Sequence, residues 1–89
     1  MTNHSKKVMA LEAALFIYGD PMPYKKIQKL LDVEAREVPG LVQELLGTLE
    51  GRGLALLLHH DAVQITTHPD FADMLQTIVK EELSEDLTP

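Results

Sequence analysis

Residues 7–23, KVMALEAALFIYGDPMP, constrain this chain more than any other stretch. Between Val8 and Tyr18 there is a single charge, Glu12. The spacing predicts a helix over about residues 6–18. Gly19 is placed to cap its C-terminus, and Pro21 cannot continue it. A helix lying on a small domain shows an apolar stripe and a polar face. This one has too little polar face for that. Val8, Leu11, Leu15 and Tyr18 form one stripe, while Met9, Ala13, Phe16 and Ile17 lie elsewhere around the helix. Either the rest of the domain wraps it on several sides, or a second chain covers part of it.

The remaining elements follow in order. Residues 20–23, DPMP, make a tight connector, with Pro23 at the threshold of the next helix. A short second helix spans about residues 24–31, with Ile27, Leu30 and Leu31 inward and Lys25, Lys26 and Lys29 outward. Asp32 and Val33 turn the chain into a third helix that runs to about residue 50. Its stripe, Val38, Leu41, Val42, Leu45, Leu46 and Leu49, has helical spacing. Pro39 is tolerated only in a first turn, where N–H groups lack intrahelical partners, so this helix begins nearer Arg36 than Glu34. Gly51-Arg52-Gly53 ends it. Residues 54–58 (LALLL) and 63–67 (VQITT) read as two strands of a hairpin, turned by residues 59–62 (HHDA). A last helix over about residues 70–83 has the stripe Phe71, Met74, Leu75, Ile78, Val79 and Leu83, with Asp70 and Asp73 suited to its N-terminus.

The order helix, helix, helix, strand, strand, helix, with a short second helix turning into a longer third, is a winged helix-turn-helix. The fold class is mainly α, within α+β. At 89 residues the chain is one domain. Such a domain buries roughly 60–70% of the surface its unfolded chain exposes, enough for a modest core. With two Phe, two Tyr and no Trp, that core is aliphatic. We place the domain at residues 1–83. Residues 84–89 form an acidic tail ending in Leu87-Thr88-Pro89, a helix-start signal that also suits the beginning of a second domain.

Several function classes lose their support. Without cysteine there is no disulfide framework and no thiolate metal site, which fits a reducing compartment. No apolar run approaches the roughly 20 residues of a membrane span, and Glu12 interrupts the one run resembling a signal peptide. The two serines, Ser5 and Ser84, lie near the ends and suggest no catalytic triad. Gly51-Arg52-Gly53 leads into a strand, whereas a phosphate loop leads into a helix. His59 and His60 are neighbours on a strand end and face opposite ways, so they do not share a metal readily. We expect no enzyme, no cofactor, no metal and no small-molecule substrate.

DNA binding is the competing reading, because the fold invites it. A DNA-reading third helix carries Arg, Lys, Asn or Gln on its outer face. Here the helix and its approach hold four Glu and one Arg, and the outer positions are Gly40, Gln43, Glu44 and Gly47. The net charge is −6. The only basic cluster is Lys25, Lys26 and Lys29 on the second helix, to which Lys6 and Lys7 can add. A winged-helix DNA-binding regulator using these lysines is therefore the alternative. A protein-binding module uses the same residues better: Leu11, Ala14, Leu15 and Tyr18 on the first helix as apolar contacts, and Gly40 and Gly47 as points where another backbone comes close.

LEAALFIYGDPMPYKKIQKLL resembles the opening of the segregation and condensation protein B family: an apolar helix, a Gly-acid-Pro turn and a short second helix. EGRGLALLL and VQITTHPDFADML are similar to that family's entry into and exit from the wing, and LSEDLTP to the linker before its second winged helix. The resemblance covers nearly the whole chain but only the first of the family's two domains. Pro23 in place of a Ser or Thr cap, Pro39, and the wing tip HHDAV depart from the usual pattern. The resemblance implies a non-enzymatic subunit of the bacterial condensin-like complex, acting in chromosome condensation and partition. It implies a homodimer formed through this domain, which holds a kleisin subunit and through it an SMC ATPase. It implies a cytoplasmic, nucleoid-associated protein that meets DNA at most indirectly.

Overall fold

The computed structural model describes the backbone of residues 3–86 and the side chains of residues 3–80. Helix α1 spans Asn3–Tyr18, three residues longer at its start than the sequence suggests. Gly19 closes it at φ 77°, donating its N–H to the Leu15 carbonyl at 3.2 Å. That left-handed conformation is open to glycine at little cost.

The sequence reading missed the next element. Met22–Pro23 form a two-residue strand, β1. It pairs with the hairpin's second strand, Met22 opposite Val63 and Pro23 opposite Ala62. Proline has no N–H for a ladder, so a strand this short with Pro in it belongs on an edge. The pairing continues as the Tyr24 N–H donates to the Asp61 carbonyl at 2.8 Å. Gln64 ties the same corner by donating from Nε2 to the Gly19 carbonyl at 3.0 Å.

Helix α2 covers Tyr24–Leu31 and ends at Asp32, whose φ of 54° is left-handed. A 3-10 turn, Ala35–Glu37, leads into α3, Val38–Thr48. Pro39 sits in the first turn of α3, as its missing N–H requires. Strands β2 (Leu54–Leu58) and β3 (Ala62–Thr67) form the antiparallel hairpin, with Leu54 opposite Thr67 and Leu58 opposite Val63. The sheet order is β1-β3-β2. A second 3-10 turn, Pro69–Phe71, opens α4, Ala72–Asp86. His68 caps that turn, its Nδ1 accepting the Asp70 N–H at 3.1 Å. Helix α4 continues three residues past the expected end. Residues 87–89, with the Thr-Pro signal, lie outside the described residues, as does the Leu83 side chain.

This is a winged helix. Its core is aliphatic: Val8, Leu11 and Leu15 from α1, Ile27 from α2, and Val38, Leu41, Val42 and Leu45 from α3, closed by Leu49, Met22 and Val63. The α1 and α3 stripes face each other, and the sheet covers one end. Three inward assignments are corrected. Leu30 is 55% exposed, and Leu46 lies at the edge of α3 rather than inside. Along α4, Phe71, Met74, Ile78 and Val79 are all exposed, and Leu75 is half-buried. The α1, α2 and α3 stripes already fill the core, so the apolar face of α4 has nothing left to cover.

Candidate functional site

Two apolar surfaces remain after folding. The first is the outer face of α1. At 100° per residue, Leu11, Leu15 and Val8 point to one side of the helix, and Met9, Ala13, Phe16 and Ile17 point to the other. The inner side is buried. On the outer side Met9 is 53% exposed, Phe16 68% and Ile17 82%. Isolated exposed apolar residues are ordinary, but Met9, Ala13, Phe16 and Ile17 form a run over more than two turns of one helix face, the kind of patch that interaction surfaces carry.

This reverses part of the expectation. Leu11 and Leu15, named as partner contacts, are in the domain's own core at 0% and 1% exposure. Ala14 is half-buried against that core. Tyr18 is at the margin, and the Lys26 ammonium lies 5.1 Å from its ring centroid, a cation–π contact that ties α1 to α2. The residues free for a partner are the ones on the opposite face.

The second surface is a groove of about 560 Å³ where the start of α4 meets β2 and the end of α3. Leu49, Leu54, Phe71 and Met74 supply most of its apolar wall, with Glu12 and Arg52 as its charges. Glu12 also flanks the outer face of α1, so the two surfaces adjoin. The sequence held one signal for this groove: an α4 stripe added to three stripes that suffice to fill a small core.

The outer face of α3 is polar and small. Gly40, Gln43, Glu44 and Gly47 are exposed, and a Cβ built on either glycine meets no atom within 4 Å. Glu44 is 3.5 Å from His4 Nε2, both exposed. Lys25, Lys26 and Lys29 are all exposed on α2, with Lys26 engaged by Tyr18. The structure does not bring these lysines onto the α3 face. His59 and His60 are exposed at the hairpin tip, while His68 is occupied as a cap. Among the described residues no three His, Cys, Asp or Glu side chains come together as a metal site. No described helix is long and apolar enough to cross a membrane.

The sequence and the fold have known counterparts. The family described as segregation and condensation complex subunit ScpB matches residues 9–89. Segregation and condensation protein B of Alkaliphilus oremlandii is 27% identical over 81 residues, covering 89% of this chain and 44% of that protein. Its counterpart in Carboxydothermus hydrogenoformans is 36% identical over 73 residues, covering 80% of this chain and 40% of that one. The chain thus spans less than half the length of these relatives. Among solved structures, the dimer of the ScpB N-terminal domain complexed with ScpA peptide is 25% identical with a TM-score of 0.75. The match covers 83% of this chain and 95% of that one. ScpB from Mycobacterium tuberculosis, at 18% identity and a TM-score of 0.81, shares the fold over 100% of this chain and 55% of its own.

Proposed function

The chain belongs to the family of segregation and condensation complex subunit ScpB, and on that footing we propose that it is a non-enzymatic assembly subunit of a bacterial SMC–kleisin complex. It homodimerises, binds a segment of an ScpA-type kleisin, and through the kleisin joins the SMC ATPase in chromosome condensation and segregation. It works in the cytoplasm, at the nucleoid, and meets DNA only through that complex. The observation that carries this reading is the likeness, over 83% of this chain and 95% of the other, to an ScpB N-terminal domain that is dimeric and bound to ScpA peptide. The exposed apolar surfaces fit it, since a protein whose work is assembly must keep such surfaces open. The groove of Leu49, Leu54, Phe71 and Met74 has room for a few side chains of an amphipathic segment, with Arg52 to meet an acidic residue and Glu12 a basic one. The polar α3 face, where Gly40 and Gly47 leave the backbone open, remains available for a further close approach.

Isothermal titration of this chain with the ScpA-type kleisin of the same organism tests the reading. Saturable binding is expected, weakened at least tenfold by Met74→Glu with the fold intact by circular dichroism. No binding by the wild-type chain at about 100 μM would overturn it, since specific assembly contacts lie well below that range.

A further inference from the structure

We propose that the open edge of β2 takes an extended peptide segment of a partner as a fourth, antiparallel strand. The segment lays alternate apolar side chains over the groove between β2 and α3 and sets a basic residue near its C-terminal end beside Glu50. This site is separate from the groove between β2 and α4 and does not rest on the kleisin reading.

The backbone of β2 is divided between its two sides. The His68 N–H donates to the Gly53 carbonyl at 2.7 Å, and the His59 N–H to the Ala62 carbonyl at 2.9 Å. Both pairs continue the register of the hairpin, one beyond each end of β2. In an antiparallel ladder, opposed residues alternate between bonding each other and pointing away. Gly53, Ala55, Leu57 and His59 therefore turn N–H and C=O toward β3. Leu54, Leu56 and Leu58 turn theirs to the other side, where no strand pairs among the described residues. These groups recur every second residue, about 6.8 Å apart, the repeat at which an added strand bonds.

Proteins blunt sheet edges with short strands, proline, charge or a bulge. The opposite edge is blunted this way: β1 has two residues, one of them Pro23. β2 uses none of these devices. Its residues LALLL include no charge and no proline, and its register with β3 is unbroken from Leu54 to Leu58. Beside its start lies a groove of about 430 Å³. Gln43, Leu46 and Gly47 of α3, Glu50 just after it, and Leu54 and Ala55 of β2 line this groove, with no residue of β3. It therefore lies on the open side. Nothing stands within 4 Å of where a Gly47 Cβ would be, so α3 leaves room for an added backbone.

The same residues define the occupant. Leu56 and Ile65 are opposite one another and both pack on the core, so Leu54, Leu56 and Leu58 share the sheet face turned to the helices. Side chains of an added strand on that face fall over Leu46 and Gly47, which suits Val, Ile or Leu. Glu50 is the one charged residue of the groove, exposed and in no ion pair among the described residues. It stands at the Leu54 end, which an antiparallel strand reaches with its C-terminal residues. A Lys or Arg there meets it. Antiparallel bonding is also the stronger per residue and continues the order of the sheet.

The probe is a short synthetic peptide of alternating Val and Thr with Lys at its C-terminal end, added to the isotope-labelled chain. Amide hydrogen exchange followed by NMR is expected to slow about tenfold or more at Leu54, Leu56 and Leu58. Ala55 and Leu57, already bonded to β3, should not change. The same peptide N-methylated at the residues facing β2 is expected not to bind, a control that leaves the protein unaltered. Moving the Lys to the N-terminal end should weaken binding several-fold. Glu50→Lys should reverse the preference toward a peptide ending in Glu.

No slowing at the three leucines with about 1 mM peptide overturns the proposal, since that is the weak end of specific binding. Equal binding by the N-methylated peptide discards strand addition. Tighter binding with Lys at the N-terminal end overturns the antiparallel direction. Slowing at the three leucines that grows with protein concentration without peptide gives the edge to a second copy and overturns the proposal as well. The kleisin titration is read separately, so each of these failures leaves that reading standing.

Discussion

Leu11 and Ile17 stand six residues apart on one helix, and their environments are opposite. Leu11 is fully buried, and Ile17 is 82% exposed. A carboxylate at Leu11 would be desolvated among Leu15, Ile27 and Leu45 with no partner. That costs several kcal/mol, a large share of the about 5–15 kcal/mol that holds a small domain together. Leu11→Glu is therefore expected to unfold the domain, and Leu11→Ala to destabilise it by about 2–5 kcal/mol. Ile17→Glu should fold with a stability within about 0.5 kcal/mol of wild type, because its side chain stays in water. Urea denaturation at low micromolar concentration distinguishes the three. Equal unfolding by both Glu variants would mean that α1 is covered all round. This pair also shows what single residues conceal in a sequence. The helical period separates Val8, Leu11 and Leu15 from Met9, Phe16 and Ile17 without saying which set is inside. Both faces of α1 are apolar, so the usual contrast with a polar face is missing, and the sequence alone does not show that Leu11 and Leu15 are core rather than contacts.

At the scale of elements, the glycines divide by backbone conformation. Gly19 and Gly51 have φ of 77° and 76°, while Gly40 and Gly47 lie within α3. None has an atom within 4 Å of where a Cβ would stand, so backbone terms alone decide the outcome. Alanine at Gly19 or Gly51 is expected to cost about 1–2 kcal/mol, because an L-residue is strained in the left-handed region. Alanine at Gly40 or Gly47 is expected to stabilise the domain by about 0.5–1 kcal/mol, since glycine is a poor helix former. Thermal melts of the four variants should split by sign. In the same assay, His68→Ala should cost roughly 1 kcal/mol, by removing the acceptor for the Asp70 N–H at the start of α4. The elements were largely legible for these same reasons. The Gly19 cap, the Pro39 first turn, the α2 bounds and the hairpin each follow from a residue with a restricted backbone or from a clear period. Strand β1 was not legible, since two residues carry no period and Pro23 argues against a ladder. Nor was the outward face of α4: its stripe has the right spacing, but whether a stripe turns inward depends on how much core the other helices leave.

For the whole molecule, the question is which partner its charge admits. The chain carries −6, and a DNA-bound winged helix lays its third helix in the major groove. Here that helix presents Gly40, Gln43, Glu44 and Gly47, with no Lys or Arg among them. The lysine cluster, Lys25, Lys26 and Lys29, is on α2, and Lys26 is held over the Tyr18 ring. Nonspecific DNA binding comes almost wholly from neutralised phosphates, so its strength and its salt slope count the basic groups that reach the backbone. With Lys25 and Lys29 as the main contributors, the slope should not exceed about 2, and the dissociation constant near 0.15 M salt should be no tighter than about 10⁻⁵ M. Fluorescence anisotropy with a labelled duplex across a salt series measures both. Reversing Lys25 and Lys29 to Glu is expected to remove the residual binding and to leave kleisin affinity unchanged, because the apolar groove between β2 and α4 lies on other elements. Nanomolar duplex binding at that salt, abolished by the same reversals, would make the wing and α2 a DNA-binding face in their own right. The apolar faces of α1 and α4 would then need a different explanation, since burial against phosphate gives an exposed Phe16 or Met74 nothing to pack on.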